Sequence, residues 1–589
     1  MMQRREFLAH MVRTTVAGGA ALAAGRSAWP LADVPPGTAR RASVVDFGAD
    51  PTGQTDATAA VQKAITSLAK RNARLVFPPG KYTFAASNSI LMDFNGYEGL
   101  EIFGNGAELS FTGATQPLRL TNCKDLEVHD IIVDWTRPPF SQGVVHAVTD
   151  RSVTVAIDPA YPVDGSERVH AVLGFDGRGK TAGATGVNVY GIASAQLRGS
   201  QTLELTLPEH APFRAGDKIV LLHPAGEEGA LRLEGCEQIV LETVVFHSAP
   251  GAAVVLSGCR DITLDTVRVM PHPGSGRLLS TCGGGIEILD STGAVSVQHA
   301  LLQGTAGAGM RVQQSYWRVD QVTDPQVAVL ASTNGKPVPE WLLPQQGTYM
   351  QISQAGSLKL LGEIAVTKAR AVPAGMELTF SETLSPAVGK GTVFCLSATN
   401  QAQLKMDDCK FHGGPTTGLV AQARVRVGSS SFSGYAGPAI VLAPDLEHMR
   451  GPVVENVHIT ECSFDQCNLG PFSERGAITI DTEPERTHAA TPIARINEGI
   501  TVQRNTFRDL GGPAIYCGGA AWLDVESNRF NSCDTLRPAG QEPRAIVLRN
   551  VDESTITGNE ASVPAKIVMI DCTEKVKAAD NGPLTTVTS

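Results

Sequence analysis

A short phrase that recurs along the chain constrains its fold more than any other feature. In each copy an aliphatic residue is followed five positions later by Phe or another apolar residue, as in ITECSF from Ile459, VQRNTF from Val502 and VESNRF from Val525. A segment this short cannot bury its apolar face alone, so the copies must stack to form a continuous core. The phrase therefore predicts a solenoid.

The spacing of the copies indicates the kind of solenoid. Val502 and Val525 lie 23 residues apart, as do Cys236, Cys259 and Cys282 in succession, which suits one turn of a parallel β-helix and is short for a helical repeat. A second phrase, as in RGAITI and GGIEIL, alternates inward aliphatic with outward polar residues, which is a strand pattern. We predict an all-β protein, a right-handed parallel β-helix.

Composition and charge fit this fold and exclude some partners. Of 589 residues, 42% are hydrophobic and 18% charged, and 60 Gly suit the many tight turns of a solenoid. The net charge of −10 argues against nucleic acids and anionic membranes as partners. The spacing of the His residues predicts no metal site, and no phosphate or nucleotide motif predicts a cofactor.

The first residues are predicted to be an export signal. RREFL from Arg4, followed by an apolar run of small residues from Val16 to Ala24, is typical of a twin-arginine signal peptide. The mature protein is then expected in the periplasm or outside the cell, with no membrane attachment after cleavage. Because that route exports folded proteins, we interpret the 11 cysteines mainly as core residues.

Changes in pattern divide the mature chain. Asp56 is predicted to cap a helix with Val61, Ile65 and Leu68 on its apolar face, which would cover the open first coil. Longer alternating strands interrupt the short phrases twice, which indicates two inserted β-domains. The predicted division is a signal peptide (1–28), a cap with the first coils (42–144), insert 1 (145–222), middle coils (223–316), insert 2 (317–396), C-terminal coils (397–577) and a disordered tail (578–589).

Three segments resemble a known family. DWTRPPFSQG from Asp134, MPHPGSGRLLSTCGGGIEI from Met270 and GTAGAGMRVQQSYWRV from Gly304 are similar to glycoside hydrolase family 110, the exo-acting α-1,3-galactosidases. The resemblance implies a pectate-lyase-like β-helix that carries two inserted β-barrels, over nearly all of the mature chain. It also implies activity on a terminal sugar.

The acids of that family are expected to be replaced in this chain. Where the family reads STADATHF, this chain reads STCGGGIEI, and a DDATNVHG-like segment is replaced by GAGMRVQQ from Gly307. The acidic positions then fall on Gly284, Gly307 and Ala308. An inverting glycosidase needs one carboxylic acid and one carboxylate, so other residues would have to supply them.

Polar residues on the same surface are the candidates. With Ile286 and Ile288 inward, Glu287 points outward, and Arg311 is expected beside it one coil later. The adjoining outward column would hold Gln313, Gln422, Asp481 and Arg549. The loop after Asp481 adds Glu483, and Trp317 offers an aromatic face to a sugar ring.

Each candidate also has a structural interpretation. Glu287 and Arg311 could form a surface ion pair, which contributes little. Asp481 and Glu483 could belong to a solvated turn, and Trp317 could pack where an insert joins the solenoid.

We therefore predict an exported glycoside hydrolase that releases a terminal sugar from an oligosaccharide or polysaccharide, galactosidase-like, as a monomer or homodimer. Glu287 and Asp481 would be its catalytic carboxylates. The expected substrate-binding residues are Arg311, Gln313, Gln422, Trp317, Glu483 and Arg549. A non-catalytic glycan-binding protein and a polysaccharide lyase remain alternatives, since a fold does not fix a reaction.

Overall fold

The computed structural model of the protein describes residues 37–588 apart from 87–89, 114, 176–183, 224–228, 333–334, 336, 446, 471–474 and 483–494. The predicted signal peptide and Glu483 lie outside the described residues. In the described part of the chain, no helix is long and apolar enough to span a membrane.

Successive coils stack into three parallel sheets, which we call A, B and C in the order A, B, C along each coil, and this confirms the predicted β-helix. Sheet A comprises Arg41–Ser43, Arg71–Val76, Glu98–Phe111, Lys124–Trp135, Glu237–Glu242, Arg260–Asp265, Thr292–Gln298, Gln403–Asp407, Ala423–Gly428, Val454–Thr460, Asn497–Gln503, Thr555–Thr557 and Lys577–Ala579. Sheet B comprises Thr52–Asp56, Lys81–Phe84, Val245–Phe246, Arg268–Val269, Leu301–Gln303, Lys410–Gly414, Ser431–Tyr435, Ser463–Asp465, Thr506–Arg508, Arg529–Asn531 and Glu560–Ala561, with the ends of the two longest sheet A strands. Sheet C comprises Met92–Asn95, Leu118–Thr121, Leu231–Glu234, Val254–Ser257, Ile286–Leu289, Met310–Ser315, Leu419–Ala421, Ile440–Leu442, Ile478–Ile480, Ile515–Glu526, Arg544–Asp552, Ala565–Ile570 and Leu584–Thr588. The end of Ile515–Glu526 continues into sheet A, between Asn497–Gln503 and Thr555–Thr557.

The recurring phrase places like residues on top of one another inside the solenoid. Its Phe residues form a stack with ring centroids 4.7 to 5.3 Å apart, which contains Phe411, Phe432, Phe464, Phe507 and Phe530. The stack runs along the core because each Phe lies in a sheet B strand and is the register partner of the Phe in the next coil. Burial of these rings and of the aliphatic columns beside them supplies the main stabilisation.

Buried asparagines satisfy the backbone at one corner of the coils. The side-chain amide of Asn528 donates to the carbonyl of Val502 (2.8 Å), and its side-chain oxygen accepts from the backbone amide of Asn505 (2.9 Å). Asn559 repeats this pattern one coil later. The ladder stabilises the solenoid because a buried corner amide without a partner costs free energy.

Cysteines form a similar column in the N-terminal coils. The thiols of Cys236 and Cys259 donate to the carbonyls of Leu120 and Leu233 one coil earlier. In the next coil the equivalent position is Ser291, whose hydroxyl accepts from the amide of Cys259 (3.1 Å). Cys282 lies outside the column, so its spacing of 23 residues does not mark a stacked position.

A helix covers the open first coil, as predicted. Thr58–Ser67 is α-helical, and the carboxylate of Asp56 accepts from the backbone amide of Thr58 (3.0 Å). Val61 and Leu68 are buried against the first coils. A 3-10 turn, Val44–Phe47, precedes the helix.

Insert 1 leaves the solenoid at the corner between sheets B and C. Its first strand begins at Phe140, five residues before the predicted boundary, and its seven antiparallel strands form one sheet. They are Phe140–Val148, Ser152–Ile157, Ala171–Phe175, Ala184–Tyr190, Ser194–Gly199, Thr202–Thr206 and Lys218–Leu222. In the described residues its edge strands do not pair, so this insert is an open sheet where a barrel was expected. The edge strand Ser194–Gly199 has no buried residue to pack against a closing strand.

Insert 2 leaves the solenoid at the corner between sheets C and A. Its six strands close into the barrel that the resemblance implies. They are Trp317–Asp324, Val327–Ala331, Tyr349–Ser353, Leu360–Val372, Gly375–Phe380 and Val393–Leu396, with the 3-10 turn Glu340–Leu342 between the second and third. A two-residue strand, Arg450–Gly451, pairs with the end of Met310–Ser315 below the barrel.

The end of the chain differs from the prediction. The predicted disordered tail contains most of the strand Lys577–Ala579 and all of Leu584–Thr588, which pairs with Ala565–Ile570. Leu584 is buried on the last coil. The tail adds a further strand to the edge of sheet C, which would otherwise be open. Its polar residues TTVT therefore lie at the exposed end of the solenoid.

Candidate functional site

The outward face of sheet C lies between the two inserts. Insert 1 packs on the loops that lead into sheet C, where Leu279, Ala306 and Ala436 join its core. Insert 2 lies at the opposite edge, where Trp341 packs over the turns at Gly235 and Gly258. The chain thus frames one strand face with a wall on each side.

Glu287 and Arg311 are neighbours on this face. They are register partners in adjacent strands, and both are partly exposed. No ion pair joins them, and within the described chain the Glu287 carboxylate has no hydrogen-bond partner. Arg311 donates to the side-chain oxygen of Gln313 (3.1 Å), while its Nε is buried without a partner. The surface ion pair considered above is therefore not formed.

Glycines make room for the Glu287 carboxylate. A Cβ atom at Gly284 would lie 2.8 Å from Oε1 of Glu287 and 3.2 Å from the carbonyl oxygen of Ala308. A Cβ at Gly307 would lie 2.9 Å from the amide nitrogen of Gly284. Larger residues at these two positions would displace the carboxylate or the backbone.

The second outward column contains the residues expected there. Gln313, Gln422, Asp481 and Arg549 all follow inward aliphatic residues of sheet C at the same register. The amide of Gln422 donates to the carbonyl of Ala443 (2.8 Å), and its side-chain oxygen is buried without a partner. Gln313 and Gln422 are 2% and 1% exposed, so this Gln422 oxygen can accept a hydrogen bond from a ligand hydroxyl only if the side chain turns outward.

Glu287 and Asp481 are too far apart to act on one bond. Four strand steps separate their coils, through Met310–Ser315, Leu419–Ala421 and Ile440–Leu442 to Ile478–Ile480. At about 4.8 Å a step this is about 19 Å, whereas the carboxyl pair of a glycosidase spans roughly 5 to 9.5 Å. The predicted catalytic pair is therefore wrong as a pair.

Asp481 lies in a different environment. It is 7% exposed, and burial raises its pKa above the ordinary 3.8, although Thr482, Arg475 and Arg549 act in the opposite direction. Its Oδ1 accepts from the amide of Thr482 (2.8 Å). Burial also raises the pKa of Tyr516, to which Arg549 donates a hydrogen bond. Asp481 is thus a desolvated carboxyl in a group of hydrogen-bond donors, and it is not part of a solvated turn.

The structure brings a carboxylate near Glu287 that sequence reasoning missed. Glu234 lies two strands before Glu287 on the outward face, and its Oε1 accepts from Nε of Arg232 (2.8 Å). Its side chain is 15% exposed. Two strand steps correspond to about 10 Å, and Glu234 is also offset by two residues along its strand, because Arg232 is the residue in register with Glu287. The sequence did indicate that Glu234 points outward, because LRLE from Leu231 has the same alternation of apolar and polar residues as IEIL from Ile286.

Trp317 is not on the Glu287 face. It begins the first barrel strand, pairs with Phe394, and borders a cavity at the C-to-A corner together with Trp341. Its side chain packs against the barrel core of insert 2. The structure thus places Trp317 at the corner cavity and not beside Glu287.

One group of possible metal ligands lies elsewhere. Glu101, Glu127 and His129 bring ligand atoms within 4.8 Å of one another on the outward face of sheet A. Glu101 already accepts from His129 (2.8 Å) and from Arg74 (2.9 Å). These bonds account for the cluster without an ion.

Comparison with known proteins adds a family context. A family model described as rhamnogalacturonase A/epimerase, pectate lyase-like, matches residues 42–123. The chain is 24% identical to alpha-1,3-galactosidase B of Bacteroides thetaiotaomicron, over 91% of this chain and 93% of that protein. It is 22% identical to alpha-1,3-galactosidase A of Shewanella woodyi, over 84% of this chain and 86% of that one. The solved structure of the Streptococcus pneumoniae surface protein and adhesin PfbA aligns with 93% of this chain and 98% of its own, with a TM-score of 0.40 and 10% identity.

These findings confirm the resemblance drawn from the sequence. The relatives extend across the solenoid and both inserts, and the family model covers the cap and first coils. The chain is a β-helix protein that is similar to α-1,3-galactosidases over most of its length and to a pectate-lyase-like family over residues 42–123.

Proposed function

We propose that the protein is a glycoside hydrolase that releases a terminal sugar, galactosidase-like, from a glycan on the outward face of sheet C. One observation carries the proposal: the Glu287 carboxylate lies free beside Gly284, where the resembled family places an acid. Glu287, three residues after Gly284 in the same segment, would then supply the acid. The similarity to two α-1,3-galactosidases over more than four-fifths of the chain supports the substrate class.

Glu287 and Glu234 are the carboxyl pair of this proposal. Their strands are about 10 Å apart and Glu234 is offset by two residues along its strand, so the two carboxyls reach the separation of an inverting pair only when both side chains lean toward each other. Glu234, whose carboxylate accepts a hydrogen bond from Arg232, is the proposed base that activates water. Glu287, which has no ionic partner in the described chain, is the proposed acid that protonates the leaving oxygen.

Arg311, Gln313 and Gln422 bind the sugar in this scheme. Arg311 has a buried Nε without a partner, and Gln422 has an unpartnered side-chain oxygen. Both atoms are buried, so this binding requires the two side chains to turn outward, where sugar hydroxyls that both donate and accept can satisfy them. Asp481, Tyr516 and Arg549 lie farther along the same face and contact a more distant part of the glycan.

Non-catalytic glycan binding is the second candidate function. It is favoured by the absence of an acidic side chain at Gly284, Gly307 and Ala308, because a protein that lost its acids would keep the polar binding groups.

The test is a screen of the purified mature protein against nitrophenyl glycosides and natural oligosaccharides, with products identified by mass spectrometry. We expect release of one terminal sugar from at least one substrate and no release by Glu287→Gln. Binding to a glycan array without any product would support the second function. An unsaturated product that absorbs in the ultraviolet would show a lyase.

Export by the twin-arginine route remains part of the proposal. It rests on Arg4, Arg5 and the apolar run that follows. Replacement of both arginines by lysine should leave the protein in the cytoplasm, whereas the unchanged chain should be recovered outside it. Equal export of the two would contradict this route.

A further inference from the structure

A cavity of about 470 Å³ lies between the barrel of insert 2 and the C-to-A corners of the solenoid. Trp317 and Trp341 border it, and the sheet C residues of the proposed active site do not. A volume of roughly 300 to 1,000 Å³ is usual for small-molecule sites. The cavity therefore has the size of a ligand site and lies apart from Glu287.

Imperfect domain packing does not account for this space. Protein interiors are filled to crystal-like density, and this cavity has room for many waters at about 30 Å³ each. Trp341 itself is held firmly: a Cβ atom would lie 2.3 Å from its ring at Gly258 and 2.5 Å from its side chain at Gly235. The two glycines, both at positive φ, allow the indole to lie directly on the turns.

Polar groups line the cavity together with the rings of Trp317 and Trp341. Asp290 is largely buried and accepts from the amide and the hydroxyl of Ser315, and the side chains of Gln345 and Asn400 also line the cavity. A pyranose has an apolar face, which can stack on an aromatic ring, and a polar edge of hydroxyls, which can form hydrogen bonds with amides and carboxylates. The cavity offers both kinds of group.

The charges restrict which sugar fits. Two carboxylates, Glu237 and Asp290, and one guanidinium, Arg260, line the cavity. Arg260 lies 3.4 Å from Glu237 and Arg450 lies 3.6 Å from Asp290, so both carboxylates are paired and no described lining cation is left over for an acidic sugar. An anionic sugar such as a uronate would lose water from its carboxylate without gaining a free cation as a partner.

We propose that this cavity, which we call the tryptophan site, binds a neutral pyranose unit of an oligosaccharide independently of the reaction at Glu287. The site goes beyond the proposed function, because it would hold a glycan whether or not the sheet C face is catalytic. It gives the protein a second contact with a branched or extended chain.

Isothermal titration of the purified protein tests the proposal with lactose, maltotriose and cellotriose as neutral probes and trigalacturonate as the acidic one. We expect binding of at least one neutral probe and none of trigalacturonate. Trp341→Ala should weaken binding about tenfold or more, and Gln345→Ala, an exposed side chain that leaves packing intact, should weaken it less. Trp522→Ala, a substitution at an exposed indole outside the cavity, is the matched control and should bind normally.

Other results separate this inference from the proposed function. Glu287→Gln should abolish turnover while the tryptophan site keeps its affinity. Binding that survives both Trp341→Ala and Gln345→Ala would overturn the tryptophan site, as would the absence of binding by every neutral probe. If Trp341→Ala lowers the melting temperature, Gln345→Ala and Trp317→Phe decide the outcome.

Discussion

Glu287 and Asp481 lie on the same sheet face but in unlike surroundings. Glu287 is partly exposed, has no ionic partner in the described chain, and lies over glycines between the two inserts. Asp481 is buried, its pKa is raised by burial, and a backbone amide holds it. Many strands of a β-helix place acidic side chains outward, so an outward position alone does not identify a catalytic acid. The comparison teaches that the residues around the carboxylate distinguish a catalytic candidate from the others.

The largest effect is expected for Glu287→Gln. If Glu287 transfers the proton, the substitution should lower kcat by about 10²- to 10⁴-fold, because the amide keeps the shape but cannot protonate a leaving group. Steady-state kinetics on the substrate found by the screen would measure it. Glu127→Gln, the same change on the outward face of sheet A, should leave kcat unaltered, and an active Glu287→Gln enzyme would refute the assignment.

Substitution of Arg311 should have the next largest effect. Arg311→Gln removes a charge-assisted donor worth about 1.5 to 3 kcal/mol, so kcat/KM should fall roughly 10- to 100-fold, mainly through KM. Arg311→Lys should recover part of the loss. An unchanged KM would show that the sugar does not contact this side chain.

A change in the asparagine ladder should separate stability from activity. Asn528→Ala leaves the carbonyl of Val502 and the amide of Asn505 without their partners and should cost about 1 to 3 kcal/mol. Thermal unfolding should show a lower melting temperature, while kcat of the folded enzyme stays the same. A stability equal to the unsubstituted protein would mean that water replaces the ladder.

The smallest effect should come from Asp481→Asn. Because burial raises the pKa of Asp481 in the folded state, the folded protein binds more protons than the unfolded one, and stability falls as pH rises above the ordinary value of 3.8. Asp481→Asn should remove that slope and raise the melting temperature at neutral pH but not at pH 3. Turnover should fall far less than in Glu287→Gln, and equal losses would reverse the comparison between the two acids.

The fold could be predicted because its signals are local and repeated. The alternation in IEIL and RGAITI fixes which side chains point outward, and the recurring Phe fixes the stack. The placement of Gln313, Gln422, Asp481 and Arg549 in one column followed from the same rule.

The site could be predicted only in part, because distance along the solenoid depends on how many coils intervene. Glu287 and Asp481 look equivalent in sequence, and four strand steps separate them. Glu234 was missed although its strand carries the same alternation, and the location of Trp317 depended on the direction in which insert 2 leaves its corner. The final strand, Leu584–Thr588, has a polar sequence because it pairs on one side only.

A crystal structure of Glu287→Gln with an uncleaved oligosaccharide tests the central claim most directly. We predict a terminal pyranose on the outward face of sheet C, with the glycosidic oxygen within hydrogen-bond distance of Gln at position 287 and a ring hydroxyl bonded to Arg311. A terminal ring bound instead among Asp481, Tyr516 and Arg549 would contradict the account and move the reaction four coils along the solenoid.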